Sequence, residues 1–326
     1  MRETLLCYLF LPCRVLTVSR FFPLFLALLF SSSASSGVQA AETGPVTVLT
    51  SIKPLQLIAA AVQDGVGTPD VLLPPGASPH HYALRPSDIR RLAGADLFYW
   101  IGPQMENFLQ RPLDNRSKPS VVVADLPGLT LRHFSADAGS HADEQDHDHD
   151  HQPGSLDEHL WLSTVNARVI ARRMAADLGA VDVANAPRYQ ANAEAFASRL
   201  DGLDAKLKAQ LAPVVDKPYF VFHEAFDYFE AAYGLKHAGV FTVAAEVQPG
   251  AQHVAAMRER LQAAGKTCVF SEPPLRPRLA ETLTVGLPVK LAELDALGGF
   301  NEATAQGYEQ VLSKLGDDLV GCLNSL

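Results

Sequence analysis

Two similar α/β lobes, each a mostly parallel four-stranded sheet flanked by helices, joined by a long helix, are the architecture this 326-residue sequence predicts. Three observations predict it. Short, nearly continuous apolar runs alternate with amphipathic helical stretches, as in parallel strands covered on both faces. The alternation occurs twice, on either side of a purely helical stretch. A chain with 48% hydrophobic and 19% charged residues is globular and long enough for two cores.

The elements follow in order. Arg14 and Arg20 precede the apolar run 21–30, and a small, polar run leads to Val38-Gln39-Ala40. Residues 1–40 therefore read as a secretory signal cleaved near Ala40, with an apolar run too short to span a bilayer comfortably. The mature protein is expected to be exported. Residues 46–52 form a β-rich run, and Pro54 opens a helix carrying Leu55, Ile58, Ala59 and Val62. A short strand at 71–73, a helix from Pro86 to Gly94, and strands at 96–101 and 121–123 complete a first lobe, residues 41–165.

Ser163 is placed to cap a helix bearing Val169, Ile170, Met174 and Leu178. Pro187 opens a longer one, apolar at three- and four-residue spacing and reaching about 35 Å at 1.5 Å per residue. These helices make a spine, residues 166–212. A second lobe, 213–326, has strands expected at 219–222, 235–240, 267–270 and 289–291, with helices at 252–264, 277–284 and 303–319.

The formal charge of −9 argues against nucleic acid and anionic membrane surfaces as partners. Cys7 and Cys13 leave with the signal, so the mature chain keeps Cys268 and Cys322. Two cysteines in an exported protein are expected to form a disulfide. Closing such a loop contributes about 3–4 kcal/mol in the chain-entropy model.

The chemistry lies in the histidines. His141, His147, His149 and His151 alternate with acidic residues in a loop at 136–152 that holds nothing large enough to pack. Such a string stays solvated, and its imidazoles and carboxylates suit zinc weakly. Three other histidines stand where open α/β sheets bind ligands, beyond the carboxyl ends of strands. His80 lies in the loop after the strand at 71–73, with His81 as a rival ligand. His159 introduces the apolar run Leu160-Trp161-Leu162. His223 follows the strand at 219–222, and Glu224 is expected to begin the next helix, where a carboxylate favours the dipole. One metal ion held by all three would sit between lobes, with a fourth position for water or a carboxylate. His133, His237 and His253 read as structural and without partners.

Three segments then match a known pattern. PPGASPHHYALRPSD, DEHLWLS and PYFVFHEAFDYFEAAYGL resemble the metal-site motifs of periplasmic zinc-binding proteins of ABC importers, the cluster A-I solute-binding proteins. The resemblance covers essentially the whole mature chain. It implies two lobes around a rigid helix, Zn2+ bound in the cleft as cargo, and delivery to a membrane permease by a monomeric binding protein without catalysis. It selects His80 over His81 as ligand beside His159 and His223, and supports the pairing of Cys268 with Cys322. Asp295 matches a fourth carboxylate of several relatives, with water as its rival, and Pro79 stands where some relatives carry a carboxylate. Manganese- and iron-binding members tend to have Glu where His223 stands, and imidazole in place of a hard oxygen favours zinc. A zinc hydrolase is the rival class, since three histidines and a water also describe a catalytic site. Against it, no HExxH arrangement is present and Glu224 is the sole evident base. Ligand imidazoles must be neutral, so zinc affinity is expected to fall below about pH 6.5.

Overall fold

The computed structural model describes residues 46–134, 154–242, 250–273, 278–299 and 301–326. The expected signal segment and the loop histidines His141, His147, His149 and His151 lie outside the described residues.

The first lobe runs β1 (Val48–Thr50), α1 (Lys53–Val62), β2 (Asp70–Val71), α2 (Pro86–Gly94), β3 (Leu97–Trp100), α3 (Gln110–Asp114) and β4 (Ser120–Val122). All pairings are parallel, in the order β2-β1-β3-β4. The predicted strand at 71–73 is shorter as a ladder, yet the Leu72 and Leu73 amides still donate to the Thr50 and Ser51 carbonyls. Two long helices follow, α4 (Thr164–Val181) and α5 (Ala186–Leu211). The Ser163 side chain accepts from the Asn166 amide and caps α4 as the sequence predicts. Pro187 stands in the first turn of α5, where its missing N–H costs nothing.

The second lobe repeats the plan with β5 (Tyr219–His223), α6 (Asp227–Tyr233), β6 (Gly239–Thr242), α7 (Ala251–Ala264), β7 (Thr267–Ser271), α8 (Arg278–Thr284), β8 (Val289–Glu293) and α9 (Gly307–Asn324). Its parallel order, β6-β5-β7-β8, has the topology of the first sheet. The strand expected at 235–240 starts later, for a local reason. Gly234 adopts φ +75° at the end of α6, and the Leu235 amide returns to the Glu230 carbonyl, so 235–238 is the exit from the helix.

In each lobe the chain leaves the first strand to one side and returns to the other. The carboxyl ends of β1 and β5 are therefore switch points, where ligands bind in such sheets. Helix α5 packs against α1, α4 and α9, and the larger buried core runs from Val48 to Leu323 through both lobes. Gly307 and Gly316 let α9 lie close to its neighbours: a Cβ on either would meet Leu57 at 2.7 Å or Leu207 at 2.5 Å. Trp161 ties the lobes directly. Its Nε1–H donates to the Ala296 carbonyl at 2.8 Å, and the Tyr308 hydroxyl donates to the Trp161 carbonyl. Cys268 on β7 and Cys322 on α9 form the expected disulfide, 54 residues apart.

Candidate metal centre

The loop after β2 presents His80. It turns at Gly76 with φ +78°, and Asp88 of α2 holds its far end by accepting from the Arg85 amide at 2.9 Å and the Tyr82 hydroxyl at 3.1 Å. His159 ends a short segment that leaves residues 132–134. The Phe134 amide donates to the Ser155 carbonyl and the Asp157 amide to the Arg132 carbonyl. The chain then enters the wholly buried turn Leu160–Leu162, which fixes the backbone of His159 against the core. His223 is the last residue of β5, at the switch point of the second sheet.

These three histidines meet. They are 3%, 2% and 4% exposed, with ring centroids 5.7 Å (His80 to His159), 5.6 Å (His80 to His223) and 5.1 Å (His159 to His223) apart. One ring nitrogen from each lies within 4.8 Å of the other two. Three nitrogens that close can converge on one ion at the ~2.0–2.1 Å usual for zinc and imidazole. Carboxylates orient two of the rings. Asp157 Oδ1 accepts from the His159 amide at 2.9 Å and lies 2.8 Å from its Nδ1, and Glu272 Oε1 lies 2.8 Å from His223 Nδ1. A carboxylate on Nδ1 fixes the tautomer and directs Nε2 to the ion.

Electrostatics favour neutral imidazoles. Burial, then the nearby His223, push His159 down to about 3. Burial and the neighbouring His223, His159 and His81 push His80 well below its ordinary value. Protons therefore compete at these two rings at lower pH than at free imidazole. Burial raises Asp157 to about 7, and a divalent ion on His159 would favour its charged form.

The other expected site residues divide. Asp295 lines the cleft with the three histidines, but its carboxylate accepts from the Leu297, Gly298 and Gly299 amides at 3.0, 2.7 and 3.2 Å. His81 is exposed, whereas His80 is in the convergent set. Glu224 is buried in the loop before α6 rather than on its first turn, and it does not line the cleft. His237 and His253 have partners, contrary to the expectation. His237 Nδ1 lies 2.9 Å from Glu230 Oε2, and His253 Nε2 lies 3.2 Å from the Val240 carbonyl. Asp157 and Glu272 were missed as ligand-orienting groups. Glu272 directly follows β7, so the strand-end rule that found the histidines would also have found it.

The chain matches the family described as zinc-uptake complex component A, periplasmic, over residues 48–322. A high-affinity zinc uptake system protein ZnuA of Yersinia pestis is 39% identical over 288 residues, 85% of this chain and 91% of the relative. The protein of that name from Brucella suis is 36% identical over 333 residues, 92% of this chain and 98% of the relative. A crystal structure of ZnuA shares the fold with a TM-score of 0.70 at 23% identity, covering 85% of this chain and all of that one.

Proposed function

The chain belongs to the family of periplasmic zinc-uptake complex component A proteins, and from that premise we propose that His80, His159 and His223 hold its zinc cargo between the lobes. It is a high-affinity zinc-binding solute-binding protein that captures Zn2+ in the periplasm and delivers it to the permease of an ABC importer. The observation that carries the assignment of residues is the convergence of three buried imidazoles, two of them backed by carboxylates. The fourth position falls to water or to Asp295, which lines the cleft and whose Oδ2 accepts a single amide, from Gly299 at 3.2 Å, while Oδ1 takes those of Leu297 and Gly298.

The protein works without catalysis. Glu224, the base considered from sequence, does not line the cleft; of the carboxylates that do, Glu272 holds the His223 ring and Asp295 accepts from three backbone amides. Residues 1–40 direct export and are removed near Ala40. Residues 41–165 and 213–326 form lobes around the 166–212 spine, and the mature protein acts as a monomer. The loop histidines at 141, 147, 149 and 151 gather zinc weakly, so deleting residues 136–152 leaves the tight site in place.

Growth in zinc-depleted medium tests the reading. A strain lacking this protein should recover with the intact gene and not with the His223→Ala form. Recovery with His223→Ala, or growth that never depends on the protein under zinc depletion, would refute it.

A further inference from the structure

The cleft is larger and more apolar than a lone ion needs. Beside the three histidines it offers a volume of about 110 Å³, where one water molecule fits in about 10–15 Å³ of the same measure. Pro74, Pro75, Pro79 and Pro273 line it together with Leu297. A proline has no N–H to donate, so this wall gives little hold to a shell of water around an ion. A concave, mostly apolar cavity with a few converging polar groups is the usual form of a site for a small organic molecule.

Lys53 is a second, independent observation. It is the first residue of α1, beyond the carboxyl end of β1, and it lines the same cleft. A cation in the cleft of a divalent ion is repelled by it unless an anion joins them. Both carboxylates of the lining are engaged elsewhere, Glu272 with the His223 ring and Asp295 with three backbone amides. Among the described residues Lys53 Nζ donates to Gln56 Oε1 at 2.9 Å and has no carboxylate within ion-pair distance. An ammonium carries three donors, so it has donors to spare.

We propose that the cleft binds Zn2+ together with a small organic carboxylate as co-ligand, an inference that rests on the three-histidine reading above. One carboxylate oxygen replaces water at the fourth zinc position, the tail lies along Pro74, Pro75 and Leu297, and the charge faces the Lys53 ammonium. Zinc accepts a carboxylate oxygen beside imidazoles. An anion that enters with the ion also reduces the cost of burying its charge.

Cobalt(II), whose visible absorption bands report its ligands, stands in for zinc in the test. The mature chain is loaded with an equivalent of Co2+ in a sulfonate buffer and titrated with sodium acetate, and separately with propionate, at constant ionic strength. The expected result is a saturable change in the bands, at a few-fold lower concentration for propionate, whose extra methylene meets the apolar wall. In Lys53→Met the acetate midpoint should rise about tenfold, the worth of a charged hydrogen bond. Bands that ignore both anions would overturn the proposal and leave the fourth position to water or Asp295. Equal midpoints in the parent and Lys53→Met, or for acetate and propionate, would equally overturn it; should the variant fail to fold, the two anions on the parent decide. Cobalt bands that persist unchanged in His223→Ala would instead sink the cleft reading itself.

Discussion

Replacing Glu272 tests whether carboxylate support of the ligands matters. Glu272 stands just beyond β7 with its side chain 21% exposed, and its Oε1 lies 2.8 Å from His223 Nδ1. In Glu272→Ala the ring loses the partner that fixes its tautomer and angle, while His223 keeps its place at the end of β5. Losing such a partner costs about 10–100-fold in metal affinity, or about 1.4–2.7 kcal/mol. Glu272→Gln retains a carbonyl oxygen that can accept from Nδ1–H and loses only the charge, so its loss should sit near the lower end. Glu272 is partly exposed, so neither change should unfold the protein. Competition against a chelating dye of known zinc affinity, at one pH and ionic strength, measures the effect. Tight binding by the alanine form equal to the parent's would refute the idea that Glu272 prepares His223, and glutamine weaker than alanine would contradict the tautomer argument.

Other outcomes follow from the same geometry. Trp161→Phe removes the donor to the Ala296 carbonyl, and leaving that acceptor buried and unpaired should cost about 1–3 kcal/mol in denaturant unfolding; a loss under a few tenths would show that the strut is idle. Glu106 is fully buried and burial raises it from 4.5 to about 7, so the unfolded chain ionises before the folded one. Relative to Glu106→Gln, the parent should therefore lose stability from about pH 4.5 up to 7, in total about 3 kcal/mol, and stay level above that. A pH-independent difference between the two would contradict it. Because burial lowers His80 and His159, the cleft should still hold zinc tightly at about pH 5.5, where free imidazole is mostly protonated; release of the tight zinc at that pH would contradict the idea that burial of these two rings sets the pH response.

The apolar runs, the capping Ser163 and the helix-opening Pro187 were legible in the sequence because each is a local signal. The meeting of His80, His159 and His223 was expected from strand ends, a rule that His223 at the end of β5 obeys, whereas His159 is set by the buried turn at Leu160–Leu162. What the sequence could not show is how side chains distant in the chain meet. Trp161 reaches Ala296 across 135 residues, and Glu272 reaches His223 across 49. His237 looked solitary because Glu230, one helical segment earlier, faces it only after Gly234 turns the chain back. The pattern offered Asp295 as a possible fourth ligand beside water, and the three amides its carboxylate accepts at 297–299 appear only in the fold.

Zinc calorimetry on the mature chain, run beside His80→Ala, His159→Ala and His223→Ala, tests the central claim most directly. One tight site in the parent, lost in each of the three variants while weaker binding persists, is the predicted result. Undiminished tight binding in any one of them would contradict the three-histidine centre and remove that residue from it.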